Sequence, residues 1–313
     1  MSAILLPLHD TGSIDWDSLE AHIVRTSAAG LVPAVNMDTG YVQLLDARTR
    51  ERILDLAAAA SMHHDGSVAG ASVARAFVAG AFVEDRAGDP FDLAAHVAAA
   101  MAIADRGGTP VIFPSHGLNG LDPDGWVAAL GAIGREVDRF IGFELGPQFV
   151  PYGRIYPLDA YRGMLGVQQC VAAKHSSLSR TAEWDRLAVR DEMRSDFAVL
   201  TGNDLAIDMV MYGSDYLLGL STFAPEAFAR RDAFWRDGDV RFHELNDLLQ
   251  YLGHFTFRTP VPGYRHDAAM VHQLRGWATS ERTPDGAQRR PAADREVLAE
   301  IIERLDGLMA QDL

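Results

Sequence analysis

The stretch Cys170-Val171-Ala172-Ala173-Lys174-His175-Ser176-Ser177 brings one lysine to the end of a short apolar run and then turns polar. A run of this length bounded by polar residues reads as a buried strand. A lysine at the carboxyl end of such a strand stands half-desolvated, and desolvation disfavours the ammonium form and lowers the amine pKa. The free amine is a nucleophile that attacks a carbonyl carbon and forms a Schiff base. The same residues also fit a strand-end lysine whose amine points into solvent, since buried lysines are rare. Other chemistry-bearing residues give weaker signals. His63-His64 with Asp65 fits a solvated polar stretch better than a metal site, and Gly70, Gly80 and Gly88 do not open a helix after a strand as a dinucleotide fingerprint requires. Cys170 reads as a small core residue. Phe255, Phe257, Tyr264 and Trp277 read as packing of the C-terminal part.

The elements that must position Lys174 follow from the hydrophobic rhythm. Short apolar runs alternate with amphipathic segments to about residue 237, the pattern of repeated βα units around a parallel sheet. Strands are expected at Ala3–Pro7, Leu31–Asn36, Ala76–Phe82, Thr109–Phe113, Phe140–Leu145, Cys170–Lys174, Phe197–Leu200 and Tyr216–Leu220. Between them fall helices at Trp16–Ala28 with Asp15 as cap, Ala47–Ala60, Pro90–Asp105, Pro123–Asp138, Asp159–Leu165, Ala182–Met193, Asp204–Met211 and Pro225–Asp237. Ser61–Arg75 is a loop or irregular extension. Eight such units make a TIM (β/α)8 barrel over 1–237. The segment 238–313 reads as a helical extension, with helices at Val240–Tyr251, Asp267–Trp277 and Ala292–Leu313.

Composition narrows the function. The chain has 313 residues, 48% of them hydrophobic, enough for one large barrel domain with a sizeable core. A formal charge of -15 and a pI near 5.1 argue against nucleic-acid and anionic-membrane partners. No stretch approaches the roughly 20 apolar residues of a membrane span. The N-terminus lacks a basic region and a long apolar run, so no signal peptide is expected. A single cysteine excludes an intramolecular disulfide framework and fits a reducing, cytoplasmic compartment. The apolar content of the extension points to a homo-oligomer, a dimer or tetramer.

Four segments, in order, resemble the class I aldolase family of dihydrodipicolinate synthase and N-acetylneuraminate lyase. Leu6-Pro7-Leu8-His9-Asp10-Thr11-Gly12-Ser13-Ile14-Asp15 is similar to the family's proline-containing first strand and aspartate-led helix. Gly30 to Tyr41, with Met37-Asp38-Thr39-Gly40 leading through Leu44-Leu45 to Glu51-Arg52, resembles its threonine loop. The Lys174 strand resembles its Schiff-base strand, and Thr201-Gly202-Asn203-Asp204 with Tyr212 to Gly219 resembles its glycine-aspartate turn and eighth strand. The resemblance spans roughly residues 3 to 230. It implies a barrel enzyme without cofactor or metal, in which Lys174 forms the imine and Thr39, Gly40, Ser176, Gly202 and Arg154 surround a small carbonyl substrate.

Departures fall on the catalytic apparatus. Where the family places a threonine and two tyrosines as a proton relay, this chain has Asp38, His116 and Glu144. The resemblance therefore predicts that these three converge on Lys174, with Glu144 as the base. Two carboxylates and an imidazole titrate nearer neutral pH than phenols and can serve general acid–base chemistry. Glu144 also fits a structural pair with Arg154 or another cation, His116 an ordinary loop histidine, and Asp38 a turn cap. The same trio converging on one point could hold a divalent metal. Asp38 would repel the carboxylate of a pyruvate-like substrate, so a neutral polyhydroxylated carbonyl compound fits better; a 2-keto acid bound through Thr39, Ser176 and backbone amides stays open. The leading expectation is a Schiff-base lyase, an aldolase or dehydratase of a keto-acid or keto-sugar. A barrel that keeps its scaffold as a metabolite-binding or regulatory protein is the alternative, and a metal-dependent lyase using Asp38, His116 and Glu144 the third.

Overall fold

Short apolar runs joined by long, mostly helical crossovers give eight parallel strands in sequential order: β1 (Ser2–Ala3), β2 (Pro33–Val35), β3 (Val78–Ala81), β4 (Thr109–Ile112), β5 (Phe140–Leu145), β6 (Cys170–Ser176), β7 (Ala198–Thr201) and β8 (Asp215–Tyr216). A parallel bridge between Ser2 and Leu218, with the Ala3 N–H donating to the Leu218 carbonyl at 3.0 Å, joins the last strand to the first. The sheet is a TIM barrel. This computed structural model describes residues 1–61 and 76–310, so most of the Ser61–Arg75 stretch, with His63, His64, Asp65 and Gly70, lies outside the described residues.

The helices are α1 (Trp16–Ala28), α2 (Ala47–Ser61), α3 (Leu93–Ala104), α4 (His116–Asn119), α5 (Pro123–Gly134), α6 (Leu158–Leu165), α7 (Arg180–Met193), α8 (Pro225–Asp237), α9 (Arg241–Thr256), α10 (Tyr264–Leu274) and α11 (Asp294–Ala310). Their starts are chemically marked. The carboxylate of Asp15 accepts from the Ser18 N–H, that of Asp92 from Ala95, that of Asp122 from Gly125, and the Ser179 hydroxyl from Ala182. Each bond satisfies a backbone donor that the first helical turn leaves without a partner. Among the described residues no helix is long and apolar enough to cross a membrane.

Two layers of core hold the barrel. Ala34, Val78, Val111, Ile141, Phe143, Ala172, Leu200 and Leu217 belong to one buried apolar cluster inside the barrel, and a second, larger cluster fills the space between strands and helices. Strands packed on both faces show no polar alternation, which is how parallel barrels read in sequence. Three expected elements differ from those observed, among them the eighth strand, expected at Tyr216–Leu220, which is only Asp215–Tyr216 because Leu220 opens a 3-10 turn. The helix expected at Asp204–Met211 is a 3-10 turn at Ile207–Tyr212, because Asp204 is drawn off to accept from the Leu220 N–H and the Ile207 N–H is taken by Gln250 of α9. The first strand is two residues long, since the chain beyond Ala3 turns into the antiparallel bridge between Leu8 and Ile14.

Candidate active site

Side chains alternate along β6, so Lys174 and Ser176 face the barrel interior while His175 faces the helices. Lys174 lies opposite Phe143 in the β5–β6 register, and its amine sits 4.6 Å from the centre of the Phe143 ring. The lysine is 5% exposed. Burial lowers its pKa, against the pull of Asp38 and Asp204, which favour the ammonium form. At the C-terminal end of the strands its amine meets a cavity with about 250 Å³ of empty space, lined by Asp38, Thr39, Ser176, Gly202, Asp204 and Tyr264 among others. A larger cleft of about 1640 Å³ opens at the opposite end of the barrel, around Gly30, Val32 and Asp215. Barrel enzymes carry their catalytic groups at the C-terminal face, where the small cavity lies.

Three elements converge on the amine. The 3-10 turn after β2, Asp38–Gly40, brings the Asp38 carboxylate to 4.0 Å from Lys174 Nζ. The turn after β7 presents Asp204, whose carboxylate accepts from the Leu220 N–H at 2.7 Å. Burial pushes the Asp204 pKa up to about 7, with the Leu220 bond and the Lys174 charge opposing and the Asp38 charge adding to the rise. Helix α10 delivers Tyr264, whose hydroxyl lies 2.8 Å from the Thr39 hydroxyl and donates to Asp38 at 3.4 Å. Burial and the Asp38 charge raise the Tyr264 pKa well above its ordinary value, so the phenol stays a neutral donor. Gly202 makes room for the lysine stem: a Cβ there would stand 2.9 Å from Lys174 Cε and 2.1 Å from Ser176 Oγ.

Lys174, Asp38, Thr39, Ser176 and Gly202 thus share one cavity, and four other predicted residues do not line it. Glu144 lies on the outer face of β5, fully buried. Arg186 of α7 binds both of its oxygens at 2.6 Å, His175 Nδ1 lies at 2.9 Å and the Tyr156 N–H donates at 2.9 Å. Burial alone would raise its pKa, but Arg186 and His175 outweigh that and hold the carboxyl at about 2. This corrects Glu144 as the base: it faces away from Lys174 and is far too weak a base near neutral pH. Its cation is Arg186, not Arg154, which donates to the Asn119 and Leu121 carbonyls. His116 opens α4 with its N–H on Asp85, and its ring packs against Tyr152 at 4.1 Å. Gly40 approaches the Ile4 carbonyl instead of the cavity. Asp38, His116 and Glu144 therefore do not converge, and among the described residues no cluster of three or more His, Cys, Asp or Glu could hold a metal.

The outward-facing network anchors the lysine strand. Ser177 Oγ lies 2.8 Å from His175 Nε2, which gives the serine–histidine–glutamate order of an acyl-transfer triad. Here Arg186 occupies both carboxylate oxygens and Ser177 accepts from the Ser179 N–H, so these bonds fix the turn from β6 into α7.

Comparison with solved structures gives the same architecture end to end. Dihydrodipicolinate synthase from Thermotoga maritima superposes with a TM-score of 0.76 at 17% identity, covering 98% of this chain and 97% of that one. The fold is that of the dihydrodipicolinate synthases. YagE, a prophage protein of that family from E. coli K12 solved with pyruvate, gives 0.77 at 14% identity over 97% and 98% of the two chains. The pyruvate-bound synthase of Acinetobacter baumannii gives 0.76 at 16% identity over 97% of each. No family model and no curated protein matches the chain.

Two polar cavity residues escaped the sequence reading of the site. Tyr264 stands 226 residues from Asp38 in the chain, and no spacing rule links them. Asp204 was legible only as part of a turn. A simple count carries the strongest signal: Lys174 is the only lysine among 28 Lys and Arg residues.

Asp204 yields a stability prediction. Its folded pKa of about 7 exceeds the ordinary 3.8, so the folded state keeps a proton that the unfolded chain gives up. Stability therefore falls as pH climbs from 3.8 to about 7 and levels off beyond. Asp204→Asn is expected to raise the melting temperature above pH 7, with a gain that shrinks toward pH 3.8. Melting curves of both proteins across that range check it; a constant difference would contradict it.

Proposed function

We propose that the protein is a Schiff-base lyase, an aldolase or dehydratase, acting on a small carbonyl compound through Lys174. One observation carries the reading: the only lysine in a chain with 27 arginines is buried at the C-terminal end of the barrel strands. Arginine supplies charge everywhere else but does not deprotonate, so the one position that needs a neutral amine holds the one lysine. In this reading the neutral amine adds to the carbonyl carbon. Asp204, poised near neutrality, protonates the departing oxygen, which leaves as water. The protonated imine then accepts the electron pair of the breaking bond: carbon–carbon for an aldolase, or carbon–hydrogen before loss of a β-hydroxyl for a dehydratase. Asp38 takes the proton released, from a substrate hydroxyl in carbon–carbon cleavage or from carbon in dehydration, and returns it to the enamine carbon or to the departing hydroxyl; water then hydrolyses the imine and frees the amine.

The test is reductive trapping. Incubation with a panel of 2-oxo acids and hydroxy ketones plus cyanoborohydride should add mass at Lys174, and Lys174→Ala should lose the adduct. Absence of an adduct with every compound, or an equal adduct in Lys174→Ala, would overturn the reading in favour of a metabolite-binding barrel. We also propose a cytoplasmic homo-oligomer, dimer or tetramer, with Trp235, Val240 and Tyr251, which are 42%, 80% and 54% exposed, on its contact surface.

A further inference from the structure

We infer that the site takes an uncharged short-chain hydroxy ketone or hydroxy aldehyde and discriminates against 2-oxo acids, an inference that rests on the imine reading and adds what the cavity selects. Of the described side chains lining the cavity, Lys174 is the one cation, and two carboxyl groups, those of Asp38 and Asp204, line it as well. When Nζ bonds to the carbonyl carbon and the oxygen departs as water, the groups on that carbon are fixed within two bonds of Nζ. The carboxylate of a 2-oxo acid is one such group, and Asp38 Oδ1 is 4.0 Å from the same nitrogen. Like charges at such range repel strongly in a cavity shielded from solvent. A hydroxyl at the same place donates to Asp38 instead, which turns a repulsion into a charge-assisted hydrogen bond.

Two of the hydroxyl donors lining the cavity are already engaged. Thr39 and Tyr264 hydrogen-bond each other, and the Tyr264 hydroxyl is turned toward Asp38. The guanidinium of Arg265, beside the mouth, donates to the Asp38 and Pro262 carbonyls, lies over the Tyr41 ring at 4.5 Å and does not line the cavity. Asp204 lines the same cavity and offers a second carboxyl partner for a further substrate hydroxyl. The narrowness of the cavity limits the chain to a short one.

Competition trapping tests this. Wild-type protein is given hydroxyacetone, dihydroxyacetone and pyruvate at equal concentration with cyanoborohydride, and the adducts on Lys174 are separated by mass. Asp38→Thr and Asp38→Asn are run in parallel, with circular dichroism as the check on folding. The hydroxy ketones should be trapped at least about tenfold faster than pyruvate, a difference of about 1.4 kcal/mol, and both variants should shift the ratio toward pyruvate by about as much. Pyruvate trapped as fast as the hydroxy ketones by wild type would overturn the substrate class and leave the imine reading standing. A ratio unchanged in both folded variants would remove Asp38 as its cause and overturn the inference. Absence of any adduct would overturn both.

Discussion

Arg186→Ala is expected to lower folding stability by about 3–5 kcal/mol, the usual cost of leaving one member of a buried ion pair without its partner. Both side chains are almost completely shielded, and Arg186 also donates to the Tyr156 and Ala182 carbonyls. Removing it strands the Glu144 carboxylate, whose pKa of about 2 depends on that guanidinium. The sign is testable by pH. Glu144 is held below its ordinary 4.5, so its contribution is present in full above 4.5 and is lost as pH falls toward 2. The wild-type advantage over the variant should therefore shrink in acid. Urea titrations at neutral and acidic pH measure it, and the double variant Arg186→Met with Glu144→Gln should recover much of the loss because no charge is then stranded. A neutral-pH loss below about 1 kcal/mol would show that water reaches the carboxylate.

Gly202→Ala is expected to reduce imine trapping and turnover by a factor of about 100 or more, the scale of loss when a reacting group shifts by an ångström. The added methyl would stand 2.1 Å from Ser176 Oγ and 2.9 Å from Lys174 Cε, so the stem that aims the amine must move. The backbone at Gly202 is not in the left-handed region, so this is a steric effect on the site without backbone strain. Circular dichroism should remain native while the trapping rate falls. Trapping within threefold of wild type would mean the lysine finds a second productive rotamer.

The barrel was legible because each strand left a short apolar run between helices with polar caps. The inward or outward face of a residue was not. In β5 both faces are buried, Phe143 against the lysine and Glu144 against α7, so a glutamate amid apolar neighbours reads alike on either side. Position within the resemblance put Glu144 at the mouth, and one residue of alternation puts it behind the sheet. Lys174 was legible from its strand, and Asp38, Thr39, Ser176 and Gly202 only through the family resemblance. Tyr264 read as packing, and it does stack on Phe257 at 4.1 Å, but its hydroxyl enters the site because the extension folds back over the barrel mouth. Such long-range closure has no periodic signature.

The most direct test of the central claim is a crystal of the protein after cyanoborohydride reduction with a trapped hydroxy ketone. Continuous density from Lys174 Nζ to a ligand carbon is predicted, with a ligand hydroxyl in hydrogen-bond contact with Asp38 and Asp204 beside the new bond. A carbonyl ligand held in the cavity with its carbon separated from Nζ, or density joined to the N-terminal amine while Lys174 stays unmodified, would contradict the account.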